Sequence, residues 1–327
     1  MSGKPRYACP EPGRAPLIAE AGGLRAPDGR FYPFADGTDV PVFASAPEGS
    51  TEYAAADSVA IHDNALRWVF ATFGGTEEAL RRSLVARLQL APGQTVLVTG
   101  AGTGNDLPLI AEALGSGTIY ALDIARPMLL EGVARHAEAF RGGPIDVHFS
   151  VGDAMALPFA DGLFDAVYHF GGLNLFPDIR AGIAEMDRVV RRGGRVVFSD
   201  EGMAPWLKPT EYGRRFLENN PLYAFEAPLP LLPETARDVR LSWEVGNCFY
   251  VIDYATAATP PPVDIDVRHL GRRGGSVRTR YEGRLEGIDP VLRDRIYAEA
   301  EARGTSRVDF LEELLRTGLA GRLEDPA

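Results

Sequence analysis

The stretch Thr99-Gly100-Ala101-Gly102-Thr103-Gly104-Asn105-Asp106 sets glycines at alternate positions directly after the apolar run Val96-Leu97-Val98. Glycine lets the backbone turn sharply and lets a ligand approach without a Cβ in the way. A helix starting just after it would add unpaired N–H groups that favour a carboxylate or a phosphate. These traits suit a nucleotide-like ligand. Asp123 closes the run Tyr120-Ala121-Leu122-Asp123, and a carboxylate at the tip of the adjacent strand is placed to take both hydroxyls of a ribose. Asp153, in Gly152-Asp153-Ala154, could accept from an exocyclic amine such as that of adenine. Alone, each acid reads more readily as a turn residue or a helix cap. At the ends of successive strands, loop and acids outline one binding site. Two common nucleotide loops are excluded at named residues. A dinucleotide fingerprint needs G-x-G-x-x-G, whereas here the spacing is G-x-G-x-G and Asn105 follows. The lysine of a phosphate loop is missing, since Asn105-Asp106 stand in its place.

Other residues could serve an acceptor. His169, in Tyr168-His169-Phe170-Gly171-Gly172, could be a general base because imidazole titrates near neutrality; the alternative is a ring that packs beside the ligand. Asp200-Glu201 follow a fifth apolar run and could bind the acceptor, take its proton, or simply be solvated. His62 lies on a helix that could cover the ligand, although a lone helix histidine is usually structural; Tyr53 is open in the same way, and core packing is the better reading for Trp68. Residues 268–284 hold Arg268, Arg272, Arg273, Arg278, Arg280 and Arg284 against one acid, Glu282. Such a stretch suits a lid for an anionic acceptor, an RNA-facing patch, or a solvated surface or subunit contact. Phe310, Leu311, Leu314 and Leu315 form a helical stripe for packing or a homodimer contact.

The elements that must hold these groups follow from period and punctuation. Residues 95–99, 118–122, 145–149, 164–169 and 195–199 read as short buried strands, with helices at 107–114, 127–140 and 179–190 between them. Alternation of this kind implies right-handed crossovers and a Rossmann-like, mostly parallel α/β sheet with helices on both faces. Upstream, 29–34 and 40–43 read as short strands. A helix begins near Ser50 or Thr51, with Ile61, Ala65, Trp68 and Val69 on its apolar face, and a second runs 76–90. Downstream, 211–219 is helical, and 239–245 and 248–254 flank Gly246-Asn247 as a hairpin with a two-residue turn. Pro260-Pro261-Pro262 breaks the pattern before two last helices, 290–302 and 306–319.

Residues 94–200 resemble a class I S-adenosylmethionine-dependent methyltransferase and are most similar to the branch of the ubiquinone/menaquinone C-methyltransferases. The resemblance rests on the loop 100–104, Asp123, Asp153-Ala154 with Leu157-Pro158-Phe159, Phe164-Asp165, and Glu185-Met186 through Arg191-Arg192-Gly193-Gly194. It implies a seven-stranded sheet with an antiparallel last strand, S-adenosylmethionine as cofactor, and cofactor contacts from Thr99, Gly100, Ala101, Gly102, Gly104, Asp123, Ile124, Met128, Asp153, Ala154 and His169. His169 and Asp200 become the catalytic candidates. The family usually carries an acid two positions before the first glycine, where this chain has Val98. The Asn/Asp-Pro-Pro-aromatic stretch of enzymes that methylate base amines or amides is missing after Tyr168-His169. Cys9-Pro10, Phe31-Tyr32-Pro33 and Asp36-Gly37 resemble a zinc knuckle, but Pro12 and Ala26 stand where cysteines are expected. One thiol cannot supply the four N or S ligands of structural zinc, so this front is read as degenerate and metal-free.

Composition bounds the rest. The 327 residues carry a formal net charge of −11, a poor default for nucleic-acid binding. No apolar run approaches the roughly 20 residues that span a bilayer, and Met1-Ser2-Gly3-Lys4-Pro5-Arg6 leads into no apolar signal segment. The expectation is a cytoplasmic protein with a degenerate front at 1–50, a methyltransferase domain at 51–256 and a C-terminal extension at 257–327 acting as lid or dimer contact. It would methylate oxygen, carbon or nitrogen of a small natural-product-like or quinone-like molecule. The alternatives are an rRNA or tRNA methyltransferase and a cofactor-binding protein of this fold without methyl transfer.

Overall fold

The computed structural model describes residues 6–46, 53, 55, 57–281 and 289–323. The chain divides into two compact units, Met1–Pro260 and Pro261–Ala327.

The first unit begins with a small antiparallel sheet of β1 (Ile18–Glu20), β2 (Gly23–Arg25) and β3 (Phe31–Pro33). Two helices follow, α1 (Ser58–Phe73) and α2 (Glu77–Arg87). Alternation then sets in: β4 (Gln94–Thr99), α3 (Leu107–Leu114), β5 (Gly117–Asp123), α4 (Arg126–Phe140), β6 (Ile145–Val151), β7 (Phe164–Phe170), α5 (Ile179–Val189) and β8 (Val190–Glu201). After α6 (Glu211–Asn219), β9 (Arg237–Glu244) and β10 (Phe249–Ala255) complete a seven-stranded sheet of order β6-β5-β4-β7-β8-β10-β9. β4 pairs parallel with β5 and β7, β5 with β6 and β7 with β8, whereas β10 runs antiparallel to both its neighbours. This is the Rossmann-like α/β architecture expected, with its antiparallel last strand.

The local chemistry explains these elements. Helices cover both faces of the central strands, so Val96, Leu97 and Val98 of β4 are all buried and the strand reads as a continuous apolar run. In α3 the buried residues Leu107, Ile110 and Leu114 recur at helical spacing. Thr76 caps α2 by accepting from the Ala79 N–H at 3.2 Å, with Glu77 and Glu78 in the first turn to favour the helix dipole.

Some expectations need correcting. The early helix begins at Ser58, and its expected caps, Ser50 and Thr51, lie outside the described residues. The second helix stops at Arg87 rather than 90, where Gln89 turns to φ 54°. Phe249 pairs with Glu244, so residues 245–248 form a four-residue connection instead of a two-residue turn. Val245, Gly246 and Asn247 all have positive φ, and the Tyr212 hydroxyl donates to the Gly246 carbonyl at 3.1 Å. Packing against α6 thus overrides the local Gly-Asn preference. Residues 40–43 make no separate strand. Instead Phe43 N–H donates to the Val151 carbonyl at 2.8 Å and Val151 N–H to the Pro41 carbonyl at 2.9 Å, a parallel bridge onto the β6 edge.

The second unit contains α7 (Val277–Tyr281), α8 (Pro290–Ala302) and α9 (Arg307–Leu323). Asp289 caps α8 by accepting from Val291 and Leu292. Among its described residues Ala300 and Phe310 are the buried apolar ones, and Arg303 lies over the Phe310 ring.

Candidate functional site

The carboxyl ends of β5, β4, β7 and β8 bring together Asp123, the glycine loop, His169 and the pair Asp200-Glu201. Gly100, Gly102 and Gly104 have φ of 61°, 51° and 78°, a region that L side chains occupy at a cost. A Cβ at Gly100 would lie 2.9 Å from His169 Cε1, and one at Gly104 2.8 Å from His136 Cδ2. The loop is therefore glycine for conformation and for space.

Asp123 anchors this loop. Its Oδ2 accepts the Gly102 N–H and its Oδ1 the Ala125 N–H, each at 2.7 Å, while the Ala101 N–H donates to the Leu122 carbonyl at 3.0 Å. Burial pushes the Asp123 carboxyl above its ordinary pKa, against the pull of the two N–H groups and of the His62 imidazole on α1. A carboxylate has about four acceptor positions, so capacity remains for a ligand hydroxyl. With Val98 buried in β4, where the resemblance implies an acid, Asp123 supplies the hold on the loop.

The remaining cofactor candidates line the same edge. Met128 is buried on α4, with its methyl 3.8 Å from where a Gly102 Cβ would stand, and Ile124 keeps an exposed apolar face. Asp153 Oδ1 accepts from the Met155 N–H at 2.8 Å, so one of its oxygens fixes its own turn beside the buried Ala154.

His169 is wholly buried, with its Nδ1 3.0 Å from Thr99 Oγ1 and its Nε2 without a partner. Burial lowers its pKa to about 4, so the ring is neutral at pH 7. It packs edge-on against Phe176 and underlies Gly100. Asp200 is likewise wholly buried, and both its oxygens accept backbone N–H groups, from Asn174 at 2.6 Å and Glu201 at 2.8 Å.

Three supports were not read from the sequence. Arg81 of α2 pairs with Glu77 at 2.7 Å and with Asp106 at 2.5 Å, while the Tyr168 hydroxyl donates to Asp106 at 2.8 Å. This buried network fixes the start of α3 behind the glycine loop; its one sequence signal is the i,i+4 spacing of Glu77 and Arg81. Gly132 of α4 is the second support: a Cβ there would come 3.1 Å from the Gly102 carbonyl. The third is the front segment. Beyond its bridge to β6 it reaches the site, where the Ala46 N–H donates to the Ile124 carbonyl at 3.2 Å. Tyr7 stacks on Phe159, and Arg14 pairs with Glu185, whose other oxygen takes the Leu157 N–H.

Cys9 is buried with its Sγ 3.3 Å from the Tyr32 hydroxyl. In the second unit Arg268 pairs with Asp309, Arg272 with Glu301 and Arg278 with Asp266, while Arg280 donates to the Gly274 carbonyl. Glu282 and Arg284 lie outside the described residues. Among the described residues no helix is long and apolar enough to cross a membrane.

Comparison with known proteins adds the following. Residues 96–194 match a family described as a methyltransferase domain. The chain is 30% identical over 224 residues to a demethylmenaquinone methyltransferase of Desulfitobacterium hafniense, covering 68% of this chain and 81% of that protein. It is 38% identical over 133 residues to a demethylmenaquinone methyltransferase of Beutenbergia cavernae, covering 40% of this chain and 51% of that one. Against several curated relatives the matched region thus spans about half their length. Phosphoethanolamine N-methyltransferase 2 of Haemonchus contortus, solved with phosphomonomethylethanolamine and S-adenosylhomocysteine, has a TM-score of 0.51 at 14% identity, covering 66% of this chain and 62% of that one. That likeness is one of fold.

Proposed function

Since the chain belongs to the class I S-adenosylmethionine-dependent methyltransferases, in the branch of the demethylmenaquinone methyltransferases, we propose that it transfers a methyl group from S-adenosylmethionine to a small organic acceptor. One observation carries this reading: a left-handed glycine loop pinned to a strand-end carboxylate by the bond from Gly102 to Asp123. A cradle that Cβ atoms would fill, beside a carboxylate with acceptor positions to spare, fits an adenosyl ligand. Bound there, the cofactor supplies an electrophilic methyl group on a sulfonium. Thr99, Gly100, Ala101, Gly102 and Gly104 would form the cradle, and Asp123 would take the ribose hydroxyls. Ile124 and Met128 would flank the base, with Asp153 and Ala154 at its far edge. His169 would hold the loop in shape from below.

Positioning and exclusion of water would supply most of the rate, since transfer from a sulfonium needs chiefly alignment with the nucleophile. A quinone-like acceptor follows from the similarity to demethylmenaquinone methyltransferases. We do not assign an anionic acceptor to the arginine stretch, because Arg268, Arg272 and Arg278 are paired within their own unit. The front is read as a zinc-knuckle relative without metal, its remaining thiol facing Tyr32; elemental analysis after dialysis should find no equivalent of zinc.

Calorimetry tests the reading. S-adenosylmethionine or S-adenosylhomocysteine should bind and NAD should bind far more weakly; NAD binding with neither adenosyl ligand would overturn it. A screen with labelled cofactor, reading methyl incorporation into small molecules and into RNA, separates the acceptor classes and exposes a chain that binds without transfer.

A further inference from the structure

The front segment crosses the cofactor edge on its way to α1. Residues 41–43 bridge in parallel onto Val151, at the tip of β6, by two backbone hydrogen bonds of 2.8 and 2.9 Å. A little further on, the Ala46 N–H donates at 3.2 Å to the carbonyl of Ile124, just past the end of β5. The stretch Phe43-Ala44-Ser45-Ala46 therefore joins the two strand tips. It passes Gly152, whose N–H donates to the Asp123 carbonyl at 2.9 Å and where a Cβ would stand 3.7 Å from Phe43 Cβ. Phe43 is anchored between Tyr7 and Tyr32, its ring centroid 5.2 Å from each. Both tyrosines belong to the core that includes Leu122, Leu157 and Phe159. The front also grips the chain after Asp153. Arg14 keeps a φ of 44°, a left-handed conformation that costs a residue with a side chain. From there its guanidinium donates to the carbonyls of Pro10 at 2.9 Å and Leu157 at 3.1 Å, and to Glu185 at 3.0 Å. The Ala8 N–H donates to the Pro158 carbonyl at 2.9 Å. The Asp153 turn is thus tied to the front on both sides, at Val151 before it and at Leu157 and Pro158 after it.

Resting on the methyltransferase reading above, we propose that the front segment completes the adenine subsite: residues 43–46 form its outer wall, and Arg14 is a positioning residue that aims Asp153 at the exocyclic amine of the base. In that reading Ile124 and Asp153 flank the base, and the crossing stretch connects the strand tips that carry them. A base held at an open sheet edge would leave one side to water. Small residues at 44–46 let the backbone lie close on that side, and with water excluded the bond from the amine to Asp153 is stronger. Arg14 acts through the turn and does not itself reach the base. It fixes the Leu157 carbonyl, and between Leu157 and Asp153 the chain is closed by the Met155 N–H on Asp153 Oδ1 at 2.8 Å and the Ala156 N–H on the Asp153 carbonyl at 3.1 Å. With Oδ1 engaged by the turn, Oδ2 is left to the amine, and the turn sets its direction. Recognition then favours an aminopurine over an oxopurine, whose carbonyl oxygen would face a carboxylate. Seating of the front and binding of the cofactor become coupled, each strengthening the other by the same factor.

Two measurements on the full chain test this. In the first, S-adenosylhomocysteine bearing an azide on either hydrogen-bearing carbon of the base is bound and photolysed, and mass spectrometry locates the label. Residues 43–46 should be labelled by at least one of the two probes, and excess S-adenosylhomocysteine should suppress that label. Label confined to other segments overturns the wall. In the second, calorimetry compares S-adenosylhomocysteine with S-inosylhomocysteine, in which an oxygen replaces the amine. The wild type should prefer the adenosyl ligand by about tenfold or more. Arg14→Ala should weaken S-adenosylhomocysteine by about five- to tenfold and the inosyl ligand by no more than about twofold, so the preference shrinks. Arg14→Lys, which keeps a cation for Glu185, should fall between the two. A general loosening of the structure would weaken both ligands alike; such an equal loss, or a wild type without preference, overturns the positioning role. Should Arg14→Ala fail to fold, Arg14→Lys carries the comparison, and the labelling needs no variant. Binding of S-adenosylhomocysteine with no label at 43–46 and an unmoved preference sinks the role of the front alone. Failure of the wild type to bind either S-adenosylmethionine or S-adenosylhomocysteine would instead sink the methyltransferase reading.

Discussion

Gly102 donates its backbone N–H to Asp123 Oδ2 at 2.7 Å. On the proposed function the carboxylate would act twice, in shaping the loop and in holding a ribose. Asp123→Ala should weaken S-adenosylmethionine binding by about 1.5–3 kcal/mol, as expected for lost charge-assisted hydrogen bonds. Hydrogen exchange at the Gly102 amide should also quicken in the ligand-free protein. An unchanged affinity in calorimetry would remove Asp123 from the ribose role.

Gly132 tests the seating of the same loop from the other side. Gly132→Ala raises helix propensity, yet its Cβ would press on the Gly102 carbonyl at 3.1 Å. The variant should remain folded by circular dichroism and bind S-adenosylhomocysteine several-fold more weakly, on the order of 1 kcal/mol. Wild-type affinity would mean that the loop can shift without harm.

Arg81 and Asp106 form a buried pair, and removing one partner strands the other. Arg81→Met should cost about 3–5 kcal/mol in urea denaturation, because Asp106 is left uncompensated. Arg81→Met/Asp106→Asn should recover much of that loss. Equal costs for the single and double variants would show no coupling.

His169 gives stability a pH dependence. Its folded pKa of about 4 lies below the unfolded value of 6.5, so between the two the unfolded chain binds a proton that the folded chain refuses. The neutral ring's contribution is complete above about pH 6.5 and is lost progressively as pH falls toward about 4, by about 3 kcal/mol in all. The stability difference between wild type and His169→Asn should shrink over that interval. A constant difference would place the burial of His169 in doubt.

The second unit offers a fifth test. Deleting Pro261–Ala327, one of the two compact units, should leave cofactor affinity within a few-fold, about 1 kcal/mol or less. Turnover and molar mass, measured on the same sample, then report whether the extension serves as lid or as dimer contact.

Legibility followed contact range. The glycine loop, Asp123 and the alternation of β4 through β8 are local signals: glycine conformation, strand-end acids and apolar period. The Arg81–Asp106–Tyr168 network was invisible because its members stand on α2, the start of α3 and β7. Each of the three reads locally as an ordinary surface or core residue. The turn at 245–248 misled for the same reason, since Tyr212 on α6 decides its width. Asp200 and Glu201 were legible as acids at a strand end, but only their partners separate the buried, N–H-bound one from the one with an open side.

The bridge from residues 41–43 to Val151 bears on how the protein survives in concentrated solution. β6 is a terminal strand of the large sheet, and an uncovered strand edge is a template for another chain. Here the polypeptide's own front occupies part of that edge, with Pro41 supplying a carbonyl but no N–H to continue the ladder. A version of the protein trimmed to begin after residue 46 would keep every group of the glycine loop and still expose this edge. Its first failure would be self-association and precipitation, and light scattering on the trimmed protein would register it.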